Sequence, residues 1–185
     1  MNRVELFGLV HKALRLQSAR VVTELATCAG DLEATGRALR DAGELLELQV
    51  VHARVEDAFV IPAIEARRPG AAARLTEAHV EHAAIIARLR ARIGEVETHA
   101  TPERIHALYL ELTHFIADNF LHMFEEETLA QPLLEEIYSH AELAAIAARA
   151  RESVTPEEER LFGPLMLASL SRAEREAAGT IGKTR

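Results

Sequence analysis

Apolar side chains recur every three or four positions along most of this chain, which is the spacing of one face of an α-helix. Four long segments carry this pattern, and the third shows it most regularly. Its core-facing positions are Leu75, His79, His82, Ile86, Leu89, Ile93 and Val96. Alternation of apolar and polar residues, which is typical of a half-buried strand, is not the recurring pattern. We therefore predict four amphipathic helices.

The second helix shows how local signals set the predicted boundaries. Asp31 follows the short break after the first helix, and its side chain is suited to cap the second. This helix is predicted to run to about Ala66. Gly36 and Gly43 are points at which it could divide, and Pro62 is expected to end or kink it.

The fourth helix has an equally clear start. Thr101 is a suitable N-cap, and Pro102 fits the first helical turn, where its missing N–H is not needed. Four such helices joined by short loops predict an all-α fold, an antiparallel up-down four-helix bundle over residues 1–136.

The remaining residues, 137–185, are predicted to form a C-terminal helical extension. It begins with a short alanine-rich helix at about 141–149. A last helix follows, with Thr155 as its N-cap and Pro156 at its first position. The tail from Gly179 onward is expected to be disordered.

The composition narrows the class of protein. Hydrophobic residues make up 49% of the 185 residues and charged residues 27%, as in ordinary globular proteins. The net charge of −8 argues against nucleic acid or an anionic membrane as a partner, since both attract basic surfaces. Cys28 is the only cysteine, so no intrachain disulfide is expected, and no apolar run approaches the roughly 20 residues of a membrane span. We expect a soluble cytoplasmic protein.

An internal repeat with an offset of 70 residues carries the candidate chemistry. Each copy holds a histidine, a glutamate four residues later and a proline six residues after the glutamate. The two sets are His52, Glu56 and Pro62, and His122, Glu126 and Pro132. Residues four apart on a helix lie about 40° apart around its axis and about 6 Å along it. Each histidine and glutamate pair can therefore reach one point in a bundle core.

The other two helices supply histidines on their own core faces. His11 and His79 occupy the same phase of their apolar patterns, and His82 takes the place that Leu14 has in the first helix. Imidazole and carboxylate groups together suit iron, manganese or zinc. We therefore predict a metal site in the bundle core. His82 is counted among its candidate residues, either as an additional ligand or as a group that supports one.

Several polar residues near these ligands receive a simpler interpretation. His114 lies about 80° from the face that carries His122, so we interpret it as a surface residue. Asp57, Glu125 and Glu127 flank the candidate ligands and are predicted to point away from them, on a solvated face.

At these residues the chain resembles the hemerythrin family, in particular the bacterial hemerythrin-like proteins with an HHE cation-binding domain. The resemblance covers roughly residues 4–136 and is carried by the segments VHKALR, HARVED, EAHVEH and HMFEEE. It implies a bundle around two iron ions joined by an oxo or hydroxo bridge. The implied ligands are His11, His52, Glu56, His79, His122 and Glu126, with both glutamates bridging the irons.

The resemblance leaves several functions open. The invertebrate oxygen carriers of the family have a His-x-x-x-x-Asp motif in the last helix, whereas this chain has His-x-x-x-Glu. The bacterial group therefore fits better, with binding or sensing of dioxygen or a related small ligand as the first hypothesis. Oxidoreductase chemistry on peroxide or nitric oxide, iron storage and a purely structural bundle are the alternatives, so the sequence leaves open whether the protein is an enzyme. A homodimer is compatible with the sequence, but no feature predicts one.

Overall fold

The computed structural model describes residues 4–177, and the regular structure in this part of the chain is entirely helical. The α-helices are α1 (Gly8–Thr27), α2 (Leu32–Val55), α3 (Ile61–Arg67), α4 (Ala73–Thr98), α5 (Pro102–Glu125), α6 (Gln131–Ile137), α7 (His140–Glu152), α8 (Pro156–Ser169) and α9 (Arg172–Ala177). A π turn, Glu56–Val60, joins α2 to α3, and a second, Glu126–Ala130, joins α5 to α6. None of these helices is long and apolar enough to cross a membrane.

The four long helices α1, α2, α4 and α5 form the predicted bundle. Each packs against the next along the chain, and α5 closes the bundle by packing against α1. Helix α2 passes through Gly36 and Gly43 without a break, so the predicted division there was wrong. Twenty-four residues of packed amphipathic helix outweigh a glycine penalty of roughly 1 kcal/mol each.

The predicted helix caps are confirmed. The Asp31 carboxylate accepts a hydrogen bond from the backbone N–H of Ala34 at the start of α2. Thr101 caps α5 in the same way, through the N–H of Arg104. At the start of α8, Thr155 forms a capping box with the residue at the third helical position.

The bundle core has two apolar regions with polar residues between them. One region fills the half of the bundle that holds the turns before α2 and α5, and its largest fully buried side chains are Leu45, Leu46, Leu89, Leu108, Leu112 and Phe115. The other surrounds the π turns and includes Phe7, Val60 and Leu134. Along α1, His11 lies between Phe7 of the second region and Val21 of the first. The candidate ligands are thus walled off from solvent at both ends.

The π turns account for the glutamate-to-proline spacing that the two copies of the repeat share. In the first, the N–H of Ile61 bonds to the carbonyl of Glu56, five residues back, instead of four. Pro62 follows at once and has no N–H to give, while its ring crowds the preceding turn. One widened turn relieves that crowding and lets the helix continue to Arg67. Pro62 therefore does not end the helical segment, and the backbone adjusts to it in the π turn that precedes it.

The widened turns also change which residues face the core. The helical pattern predicts Phe59 and Leu129 on the core face, three residues after each candidate glutamate. In the structure Val60 and Ala130 are buried instead, and Leu129 is 64% exposed. This prediction was wrong because an extra residue per turn shifts the phase of every side chain that follows.

The C-terminal extension packs onto the bundle. Leu143 of α7 joins the apolar region around the π turns, and Phe162 of α8 packs into a cluster with Leu14, Leu48, Val51 and Met123. The Arg54 guanidinium donates two hydrogen bonds to Glu158 and ties α2 to α8. The division of the chain at residue 136 stays a prediction, and the predicted disordered tail, 179–185, lies outside the described residues.

Candidate metal centre

Four histidines, one from each bundle helix, meet in the polar layer. Their side chains are almost fully buried, and their rings form two pairs. The Nε2 atoms of His11 and His52 lie 3.2 Å apart, and those of His79 and His122 lie 3.0 Å apart. The imidazole nitrogens therefore converge on a small volume, as the helical phases predicted.

The Glu56 carboxylate lies between the two histidine pairs. Its Oε2 is 3.3 Å from His52 Nε2 and 3.4 Å from His79 Nε2. Its Oε1 is 3.8 Å from His11 Nε2. One carboxylate thus faces both pairs, which is the position of a bridging ligand.

Glu126 faces both pairs from the opposite copy of the repeat. Its Oε2 is 3.3 Å from His11 Nε2, and its Oε1 is 3.1 Å from His122 Nε2. Two groups of atoms, each spanning no more than 4.8 Å, could each hold one metal ion, and they share both glutamates. The groups are His11, His52, Glu56 and Glu126, and Glu56, His79, His122 and Glu126.

The glutamate oxygens show that the donor set fits a metal. Both oxygens of Glu56 and Oε2 of Glu126 are buried and make no hydrogen bond among residues 4–177, although histidine nitrogens lie close to them. Buried carboxylates without partners are costly, and coordination by a cation satisfies them. Four imidazoles with two carboxylates suit iron, manganese or zinc.

The pKa values of the histidines describe the metal-free cluster. Burial works against a charged His11, but the carboxylates of Glu126, Glu127 and Glu56 outweigh burial and raise the His11 pKa to about 10. The pKa of His79 is likewise raised to about 10, against the effect of burial. In the metal-free protein, protons on these two rings therefore supply the positive charge that bound metal ions would otherwise provide. Metal binding must displace them.

The acidic residue that directly follows each candidate glutamate forms a hydrogen bond with one of the histidines, on the side that faces away from the cluster. The Nδ1 of His79 lies 2.7 Å from Asp57 Oδ1, and the Nδ1 of His11 lies 2.8 Å from Glu127 Oε1. Arg15 also donates to Glu127, at 2.6 Å. Each carboxylate accepts the Nδ1 proton and turns Nε2 toward the cluster, which is the usual support for a metal-bound imidazole.

The prediction that Asp57 and Glu127 point away from the ligands was therefore wrong. The π turn begins at the preceding glutamate in each copy and alters the side-chain directions expected from a regular helix. A signal was present in the sequence, since the two acids are also 70 residues apart. Glu125 lacks such a counterpart and, as predicted, contacts no ligand, pairing instead with Arg74.

The structure does not bring His82 into the cluster. Its Nε2 lies 3.0 Å from Asp118 Oδ2, and its ring meets the His122 ring edge-on at 5.1 Å between centroids. Burial lowers the pKa of His82, although Asp118 opposes the effect. His114 is exposed, as predicted. His82 therefore borders the site and leaves six residues at its centre.

These features define a helical bundle whose buried histidines and glutamates fit a metal-binding protein. Comparison with known families agrees: the hemerythrin HHE cation-binding domain matches residues 2–134. The chain belongs to this family. No curated protein and no solved structure matches it.

Proposed function

We propose that the protein holds two iron ions between the four histidines and two glutamates, and binds dioxygen or a related small ligand there. The observation that carries this proposal is the overlap of the two ligand groups. Each group contributes its own pair of histidines, while Glu56 and Glu126 belong to both. Shared carboxylates at this spacing support a two-metal site over two separate single-metal sites.

The ligand count supports reactivity toward a small molecule. Two six-coordinate ions need about twelve bonds, and four histidines with two bridging carboxylates supply about eight. The remaining positions are open to solvent-derived groups or an added ligand. Iron, when bound, would supply the redox chemistry that a histidine and carboxylate site allows.

The surrounding residues keep the site ready for metal. Asp57 and Glu127 fix two of the four imidazoles through Nδ1 and leave Nε2 as the coordinating atom. The flanking apolar regions exclude bulk water from both ends. His82 stays beside the ligands, because Asp118 engages its Nε2.

The test is metal analysis followed by optical spectroscopy. Protein loaded with ferrous iron without oxygen should hold two ions per chain. Oxygen should then produce a charge-transfer band, and its disappearance on degassing would demonstrate reversible binding. A band that persists would indicate oxidation of the centre instead. Glu126→Gln should fold, as judged by circular dichroism, yet hold less iron. Wild-type protein that folds and retains no iron would overturn the proposal.

A further inference from the structure

A small cavity lies beside the metal centre, between helices α2, α4 and α5. It has a volume of about 40 Å³ and ends at the rings of His52, His79 and His122. Its sides include Ala53, which is half-buried, and Ala83, which is exposed. The side chains at this edge are therefore small. The space accommodates roughly one or two water-sized molecules.

Two polar side chains line this cavity, and each has one hydrogen-bonding atom without a partner among residues 4–177. Gln49 and Asn119 are only 3% and 4% exposed. The Gln49 Nε2 donor and the Asn119 Oδ1 acceptor are buried, and neither has a hydrogen-bond partner among residues 4–177. Buried polar atoms are rarely left unpaired, so a molecule within the cavity is the natural partner for both.

The two residues occupy equivalent positions in the repeat. They are 70 residues apart, and each precedes a ligand histidine, His52 or His122, by three positions. One is a buried donor and the other a buried acceptor. The two copies thus present complementary hydrogen-bonding atoms to one cavity.

An apolar cluster covers the α1 side of the metal centre. Leu14 of α1 stands at the position that His82 has in α4. Phe162 of the C-terminal extension packs against Leu14 together with Val51 and Met123. An apolar cluster thus covers one side of the centre, and the polar cavity borders the other.

We propose that Gln49 and Asn119 select the ligand of the metal centre. Gln49 Nε2 donates a hydrogen bond to the ligand, and Asn119 Oδ1 accepts one from it. Hydrogen peroxide fits both requirements and the volume, whereas dioxygen has no hydrogen to donate. This inference rests on the proposed function and narrows its ligand to a small molecule with an O–H group.

The experiment uses the full-length, iron-loaded protein and two probes. Azide accepts hydrogen bonds and donates none, and hydrogen peroxide does both. Gln49→Met and Asn119→Leu remove one hydrogen-bonding group each and keep a similar shape. Ser18→Ala is the matched control, because the Ser18 hydroxyl is also buried and unpartnered but does not line the cavity.

The two variants should respond differently. Gln49→Met should weaken the azide Kd, read from the optical spectrum, by about tenfold and slow the spectral change with peroxide by a similar factor. Asn119→Leu should slow the peroxide reaction about tenfold and leave the azide Kd no weaker. Ser18→Ala should change neither quantity. Iron content and the Tm of the metal-free protein should stay at the wild-type values in all three variants.

Several outcomes would overturn the inference. Wild-type behaviour of Gln49→Met and Asn119→Leu toward both probes would mean that the cavity holds only water. A fall in Tm or iron content that accounts for the slower reaction would mean that both residues are structural. Neither result touches the proposed function, which fails separately if the wild-type protein holds no iron.

Discussion

Removing the Asp57 carboxylate tests whether this side chain supports His79 as a metal ligand. Asp57 accepts the Nδ1 proton of His79 at 2.7 Å, although its side chain is 52% exposed. Loss of such a carboxylate typically weakens metal binding 10- to 100-fold, or roughly 1.4–2.7 kcal/mol. Asp57→Ala should lie near the lower limit, because the carboxylate is half solvated. In addition, Asp57 favours the protonated His79 of the metal-free protein, and its removal weakens that competition.

The assay is competition for ferrous iron with a chromogenic chelator, without oxygen and at neutral pH. Asp57→Ala should lose about tenfold in affinity. Glu125→Ala is the matched control, since Glu125 also adjoins a ligand but pairs with Arg74. It should bind iron as the wild type does. Equal losses in both variants would indicate a general charge effect, and no loss in Asp57→Ala would refute the assigned role.

Three further measurements test the protonation of His11 and His79, the packing of α8 on the bundle and the role of His82. Folding raises the pKa of His11 and His79 from 6.5 to about 10. Their protonation therefore stabilises the folded protein fully below pH 6.5, and this stabilisation is lost as the pH rises toward 10. Thermal unfolding of the metal-free protein should therefore show a falling Tm over that range, and a flat profile would contradict these pKa values. Phe162→Ala should cost about 3 kcal/mol in urea unfolding, whereas Leu167→Ala, at a position 56% exposed, should cost less than about 0.5 kcal/mol; similar losses would mean that α8 is not anchored as described. His82→Ala should still hold two iron ions by metal analysis, and loss of one ion would make His82 a ligand.

The helices and the six central residues could be predicted from sequence because they depend on regular geometry. Helical spacing places His11 and His79 on core faces, and the repeat identifies the two histidine and glutamate pairs. Convergence then follows from packing four such faces around one axis. No knowledge of individual rotamers is needed for that step.

The residues around the ligands could not be predicted in the same way. Angular positions computed for a regular helix fail after Glu56 and Glu126, where the π turns begin. The same assumption placed Leu129 in the core and turned Asp57 away from the ligands, whereas Leu129 is exposed and Asp57 bonds to His79. In the sequence, the proline that recurs in both copies of the repeat marks the irregular turn. Its meaning depends on a backbone adjustment that local propensities do not encode.

The two halves of the bundle differ in the residues that border the candidate metal site. Each half of the bundle, α1 with α2 or α4 with α5, supplies a histidine pair, a glutamate and an outer acid, so the candidate metal site is built from matching parts. The copies diverge at Leu14 and His82, which occupy equivalent places. Leu14 lies against Phe162 of the extension, while His82 borders the cavity. The extension therefore covers one side of the centre, and under the proposed function a ligand would enter from the cavity on the other side.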